Sequence, residues 1–388
     1  MSLSGWRFLV LGAASMAIAV PAKAAEWLVV YTGEGFYNTA GGLERGGGYL
    51  GNLDATVEWG DLSWFGDGGS AMLYVLGNHG ASPSERIGDA QTYSNIDAPQ
   101  SLKLYEAWYE QPFAAGAATW KFGLIDLNSE FDVVSSAGLF QNSSFGIGPD
   151  FSQSGVNGPS IFPTTSLGLR LLWGGTGGTY AACIVLDGVP GDPDNPRGTH
   201  VDVKSADGWL GTCEVGNEKR NKSGQVRKFN LGYWTYSEPT ARFDGASTAR
   251  NRGWYASFDQ RLWRLGEEEA LYGFVRVGMA DDTVNAFDRF RSGGLHWIGP
   301  FTDDGSDALG LAVARVENGN PFRRWQAAEG ATQTGHETAI ELTYRFVVTE
   351  WLALQPSIQH IRHPGMNPEL SSATAVSLRF EVGFGGAS

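Results

Sequence analysis

Sulfur and histidine are scarce in this chain. Among 388 residues there are two Cys, five Met and six His. No CxxC pair and no Cys/His cluster at zinc spacing occurs, which excludes dithiol and structural-zinc motifs. The six His (His79, His200, His296, His336, His360 and His363) fall mostly in polar segments or near turns. No G-x-S-x-G, H-E-x-x-H, phosphate-binding loop or strand-to-helix G-x-G-x-x-G accompanies them, so no enzyme class announces itself. Basic residues are few: 28 Lys and Arg stand against 42 Asp and Glu, for a net charge of −14. That balance argues against nucleic-acid partners, which need a basic footprint. Long apolar runs are lacking too. The longest, Phe8 to Val20, is shorter than the ~20 residues of a spanning helix.

What is present begins at the N-terminus. Arg7, the run from Phe8 to Val20 and the small residues of Ala22-Lys23-Ala24 form a secretory signal peptide over 1–24, cleaved before Ala25. Removing those 24 residues from 388 leaves 364, and losing Arg7 and Lys23 takes the charge from −14 to −16. The remainder, 25–388, has no composition break and reads as one domain. It is rich in Gly (54 residues) and Trp (14), which suits tight turns and aromatic belts. Cys183 and Cys213 would meet an oxidising compartment after export. A disulfide tying the strand end near Cys183 to the polar loop that follows is one outcome, and two unpaired thiols are the other.

The dominant pattern is alternation. From Glu337, Thr338, Ile340, Leu342, Tyr344 and Phe346 share one side of a strand, and Glu337, Glu341 and Arg345 the other. Near the end Val376, Leu378, Phe380, Val382 and Phe384 oppose Ser377, Arg379 and Glu381. In a soluble sandwich the apolar side would be the core; in a transmembrane barrel it would face lipid, with the charges in the lumen. Similar runs cover Tyr49–Trp59, Ala71–Leu76, Leu102–Gln111, Thr119–Ile125, Ser166–Trp173, Thr179–Leu186, Lys228–Tyr236, Gly253–Trp263, Ala270–Met279 and Ala308–Glu317. Short turns and long polar segments separate them in alternation, the rhythm of an antiparallel barrel with long external loops. At ~10 residues per strand plus connections, the mature chain accommodates about 16 strands. Three segments are too long for hairpin turns: Asn78–Gln100, Asn128–Pro163 and Gly188–Val226, the last with Lys219, Arg220 and Lys222 near its end. In a barrel one of these can fold inward and narrow the pore. Short helical pieces are compatible with the residues around Phe65 and with Phe131–Leu139. The acidic cluster Asp187, Asp192, Asp194 and Asn195 lacks the order of a calcium-binding loop and reads as a solvated turn, so no metal is expected.

A run of motifs gives a family resemblance. L-Y-E-A-W-Y-E-Q-P-F (Leu104–Phe113) is followed by W-K-F-G-L-I-D (Trp120–Asp126), Glu130-Phe131, L-F-Q-N (Leu139–Asn142) and the strand S-L-G-L-R-L-L-W. Further on come G-F-V-R-V-G-M-A-D-D (Gly273–Asp282), L-G-L-A-V-A (Leu309–Ala314) and E-W-L-A-L-Q-P-S-I-Q-H-I-R-H-P-G (Glu350–Gly365). This order resembles the carbohydrate-selective porins of the OprB family, and it spans almost the whole mature chain. Leu124 and Ser357 depart from the family pattern, as do the four residues after Phe384. The resemblance implies a transmembrane antiparallel barrel in the outer membrane of a Gram-negative bacterium. It would pass mono- and small oligosaccharides without a cofactor and without catalysis. Its partners would be sugars, outer-membrane lipid and the barrel assembly machinery, and it would be a monomer or a trimer.

Strand parity selects the lumen residues. Arg170 opposes Leu169 and Leu171, Lys121 opposes Trp120 and Phe122, and Arg276 opposes Val275 and Val277. Glu106, Trp108 and Glu110 oppose Tyr105, Ala107 and Tyr109, which would face lipid. Sugars present hydroxyl edges and apolar faces, so Arg forks, carboxylates and aromatic rings suit a selective constriction. The expected sugar-binding residues are Arg170, Lys121, Glu106, Trp108, Arg276 and Arg379, with pairing to a neighbouring charge as the competing role for each. Two rival functions remain: a general or organic-acid channel on the same barrel, and a secreted soluble β-sandwich that binds glycans.

Overall fold

The computed structural model describes residues 25–175, 177–220, 226–266 and 269–387. The expected signal peptide and Lys222 lie outside them. Sixteen strands follow one another: β1 (Ala25–Ala40), β2 (Gly46–Leu62), β3 (Gly69–Gly80), β4 (Ser101–Phe113), β5 (Ala118–Ile125), β6 (Ser166–Gly174), β7 (Thr179–Asp187) and β8 (Trp209–Arg220). The second half runs β9 (Val226–Ala241), β10 (Thr248–Arg264), β11 (Ala270–Ala280), β12 (Phe287–Ile298), β13 (Asp307–Asn318), β14 (His336–Thr349), β15 (Leu352–Arg362) and β16 (Ala373–Ala387). Each is hydrogen-bonded to its chain neighbours, and β1 pairs antiparallel with β16, so the sheet closes and no edge remains.

The burial pattern decides between sandwich and membrane barrel. On β16, Val376, Leu378 and Phe384 are exposed while Ser377 and Arg379 are buried. Val275 on β11 is 54% exposed, whereas Arg276 beside it is 3%. Apolar residues outside and charges inside is the inverse of a soluble protein, and it fits a wall that meets hydrocarbon. The soluble-sandwich reading is thereby overturned.

The two rims differ. At one, connections are short, such as 114–117 after β4 and 350–351 after β14. Aromatic residues gather there: Trp351 stacks on Phe384 with centroids 6.4 Å apart, Phe301 meets Tyr344 at 5.5 Å, and Trp64 stacks on Tyr109 at 5.2 Å. This is the interfacial girdle. At the other rim lie the long segments 81–100, 126–165, 188–208 and 319–335.

The count of sixteen strands agrees with the expectation, with one segment differing. β8 lies inside the segment Gly188–Val226 expected as one long loop, so that loop is shorter than expected, and β1 and β12 add to the runs with clear alternation. A nine-residue helix, Asn320–Ala328, caps the outer rim, where only short pieces at other places were expected. Cys183 and Cys213 form a disulfide, but it joins register partners on β7 and β8 and does not reach into a loop. Tyr105 does not face lipid. A register shift at Tyr74/Val75 turns it inward, where it is 2% exposed and its hydroxyl donates to Asp126 at 2.8 Å. Leu124 pairs with Ala107 and Leu167, on the Trp120–Phe122 side of its strand, away from the lumen.

Candidate functional site

The segment 126–165, between β5 and β6, enters the barrel, and its composition explains why. Leu127, Phe131, Val134, Leu139, Phe140, Phe145 and Phe151 are all buried, too many apolar side chains for a solvated external loop. Phe140 and Phe145 pack on Phe274 of β11, with centroids 5.8 and 6.4 Å away. Phe151 stacks flat on Trp234 of β9 at 4.8 Å. Each such burial is worth about 1.5–3 kcal/mol.

Charges on the wall bind the segment's polar groups. Arg276 grips two loop carboxylates: Nε and Nη2 donate to Asp132 at 3.2 and 2.7 Å, and Nη1 donates to Asp150. Asp259 accepts from the amide and hydroxyl of Ser136 at 2.8 and 2.6 Å. Glu341 accepts the successive amides of Gln141 and Asn142 at 2.8 and 3.0 Å, and Glu214 accepts the Asp132 amide at 2.9 Å. A second inward segment, 81–100, is held by Arg379, which donates to Glu34 at 2.7 Å and to Asn95 at 2.8 Å. Glu337 takes the amides of Ala90 and Gln91. Loop amides that turn inward thus meet wall carboxylates, as burial demands.

Where 126–165 leaves β5, a charged cluster faces the lumen. Lys121 Nζ sits 2.5 Å from Glu130 and 3.5 Å from Glu110, and 3.8 Å above the Trp108 ring. Arg170 donates through Nε to Glu130 at 2.6 Å and through Nη2 to Glu110. Two cations and two carboxylates therefore balance. The cations lie beneath, with side chains 10% and 3% exposed, and the carboxylates above, at 24% and 21%. Burial pushes the Glu130 carboxyl up, but Lys121 and Arg170 outweigh it and hold the group below the usual carboxylate range.

Between the two inward segments opens a cavity of about 530 Å³. Three carboxylates (Asp89, Asp97, Asp126) line it, together with amides and hydroxyls such as Asn95, Asn128, Ser143 and Gln153, and the apolar faces of Phe162 and Pro149. No Lys or Arg contributes to it. Burial pushes Asp89 and Asp126 up to about 6, and Asp97 upward as well.

The residues singled out by parity therefore divide. Lys121, Arg170 and Trp108 come together in one cluster. Glu106 is nearby but buried, accepting the Asp126 amide at 2.9 Å. Arg276 and Arg379 face inward, yet they lie under the loops with their donors engaged, away from the lumen surface. Arg345 pairs with Glu381 at 2.7 Å and stays partly open to the lumen. The mouth residues Asp89, Asp97, Asn95 and Phe162 were missed. Their signal was the near-absence of basic residues across both long segments.

With this geometry in hand, the likenesses to known proteins are specific. The family model described as "Carbohydrate-selective porin, OprB family" matches residues 44–384. Porin B of Pseudomonas aeruginosa is 22% identical over 341 residues, covering 78% of this chain and 74% of that protein. Among solved structures, the high-pH form of Pseudomonas putida OprB superposes with a TM-score of 0.81 at 20% identity, covering 93% of this chain and 94% of that one. The outer membrane channel DcaP of Acinetobacter baumannii gives 0.57 at 11% identity, over 94% and 99%. The sixteen-stranded fold with its inward segments, and the match across most of its length, place this outer-membrane barrel in the carbohydrate-selective porin family OprB.

Proposed function

We propose that mono- and small oligosaccharides diffuse through this channel by way of the cavity between the two inward segments. The carrying observation is the lining of that cavity: carboxylates, amides and hydroxyls for sugar hydroxyls, Phe162 and Pro149 for apolar C–H faces, and no cation. Below it, Glu110 and Glu130 present acceptors beside the Trp108 ring, and Lys121 and Arg170 orient them. Glu106, Arg276 and Arg379 act one layer back, holding the loops that shape the passage. Uncharged solutes pass such a lining by exchanging hydrogen bonds, weakly enough to leave again. An acidic mouth disfavours organic anions, which supports the sugar channel over the organic-acid alternative. The outward belt takes outer-membrane lipid, the strand ending near Phe384 is what the barrel assembly machinery reads, and the assembly is a monomer or a trimer. The chain reaches the membrane after cleavage before Ala25, and N-terminal sequencing of the mature protein checks this.

Sugar entry into proteoliposomes tests the channel. Glucose and small oligosaccharides should enter faster than uncharged polyols of matched size. Equal rates would refute selectivity, and preferential anion flux in a salt gradient would favour the organic-acid reading.

A further inference from the structure

A strongly cationic band lies on the outward wall. Arg291 is the register partner of Arg315, Arg315 of Thr338, and Thr338 of Arg362. Four neighbouring strands, β12 to β15, therefore carry three arginines at one height, spread over about 15 Å at ~5 Å per strand. The outward row directly below is Gly293, Val313, Ile340 and His360, and the next is wholly apolar, Leu295, Leu311, Leu342 and Ile358. From Leu352 to Arg362 the ten steps of β15 rise about 26 Å, at ~3.4 Å per residue and a tilt of ~40°. An apolar band is ~25 Å tall. The row thus stands at the edge of the band opposite the aromatic girdle, on the side of the long loops.

This row lines a groove of about 790 Å³, with His336 and His363 beside it. A smaller one of about 230 Å³ adjoins, sharing Arg315 and His336 and adding Arg289 and Arg323 with the carboxylates Asp288 and Glu317; Asp288 pairs with Arg289 at 3.3 Å. Arg291 and Arg315 both bond the single carboxylate Glu317, Arg315 at 3.0 Å. Arg362 has no carboxylate partner among the described residues. In a chain of net charge −14, an excess of guanidinium on the lipid-facing wall needs an anion at that depth.

We propose that this face binds the phosphorylated headgroup of an outer-leaflet glycolipid, its acyl chains lying along the apolar belt below. Guanidinium forks match phosphate oxygens in pairs. Two adjoining grooves suit a headgroup with two phosphates, and the belt beneath gives the acyl chains a continuous apolar track. A free phosphate uses only the upper half of this arrangement. A second copy of the chain would have to bring carboxylates to the same height.

Native mass spectrometry of the full-length protein in detergent, titrated with lipid, tests the proposal. Bis-phosphorylated lipid A should bind at least about tenfold more tightly than the same lipid without phosphates, a tenfold step being the loss of about one good contact. Inorganic phosphate at equal concentration should not displace it. R291Q/R315Q/R362Q should bind both lipids alike, with sugar flux and oligomeric state unchanged, whereas the triple Lys variant should keep most of the preference. Equal binding of the two lipids by the unaltered protein overturns the proposal whether or not the variants fold. Displacement by phosphate alone would make this a free-anion site, and a change of oligomeric state in the Gln variant would make it a contact between copies; either result also overturns it.

Discussion

Replacing Arg276 with Met should loosen the segment 126–165 inside the barrel without unfolding the barrel. The guanidinium is 3% exposed, and each carboxylate it holds, Asp132 and Asp150, is 1% exposed. Three hydrogen bonds to two anions vanish in R276M, and the anions are left buried without a counter-charge. Breaking a buried pair in this way costs about 3–5 kcal/mol. Against it stand Phe140, Phe145 and Phe151, each worth about 1.5–3 kcal/mol of burial, and the untouched clamps at Asp259 and Glu341. The loop therefore remains inward most of the time, but its opening equilibrium rises by roughly two to three and a half powers of ten, at 1.4 kcal/mol per decade. In planar bilayers this should appear as brief excursions to a higher conductance. The neutral triple variant R276M/D132N/D150N removes the stranded charge and should restore a quiet channel. A single variant as quiet as the parent, or a triple variant as noisy as the single one, would show that the ion triad does not hold the loop.

Neutralising Lys121 and Arg170 together (K121Q/R170Q) strips both cations from Glu110 and Glu130, adding two uncompensated negative charges to the lumen; reversal potentials should move toward cations and sugar block of single-channel current should weaken. Asp89 and Asp126 lie above the ordinary carboxylate range, at about 6, and the ionised form is the one lost on acidification. Cation preference, read from reversal potentials, should therefore decline as pH falls through about 6, and a decline confined to pH near 4 would contradict this. The variant C183S/C213S should lower the temperature at which the barrel loses its compact mobility on gels: by chain entropy, closing a ~30-residue loop contributes about 3–4 kcal/mol, while conductance stays unchanged because both sulfurs belong to the outward wall. L342R places a charge on the lipid-facing belt, at a cost of about 2–4 kcal/mol near the midplane, and should reduce folding yield in lipid vesicles far more than L342A.

Strand parity was legible wherever the two faces differed in polarity. In β6, Leu169, Leu171 and Trp173 against Arg170 left no ambiguity, and β14 and β16 read equally well. β1 hid because Leu28, Val29 and Val30 are apolar on both sides and Gly33 and Gly35 leave gaps. β12 hid because outward Arg289 and Arg291 interrupt the apolar side at its outer end, and β8 because it is continuous with a polar loop. Tyr105 was misplaced by a bulge, which flips parity without any mark in the local sequence. Parity also states only which residues point inward. Whether Arg276 meets water or Asp132 depends on a partner 144 positions away, and no local pattern carries that information.

The inward charges therefore do two different jobs, and the division has a consequence for selectivity. Arg276, Arg379, Glu214, Asp259 and Glu341 bear the cost of burial in order to hold loops, so substituting them changes the shape of the passage before it changes any contact with a solute. Glu110 and Glu130 are less buried, and they are already matched by Lys121 and Arg170. On the proposed route a neutral sugar would meet amides, hydroxyls and paired charges, which can replace its hydration shell without holding it, whereas an anion would meet a lining to which no Lys or Arg contributes. If that route holds, preference for uncharged solutes over anions resides in the loops, and loop substitutions should alter it while the barrel wall and its lipid-facing surface remain unchanged.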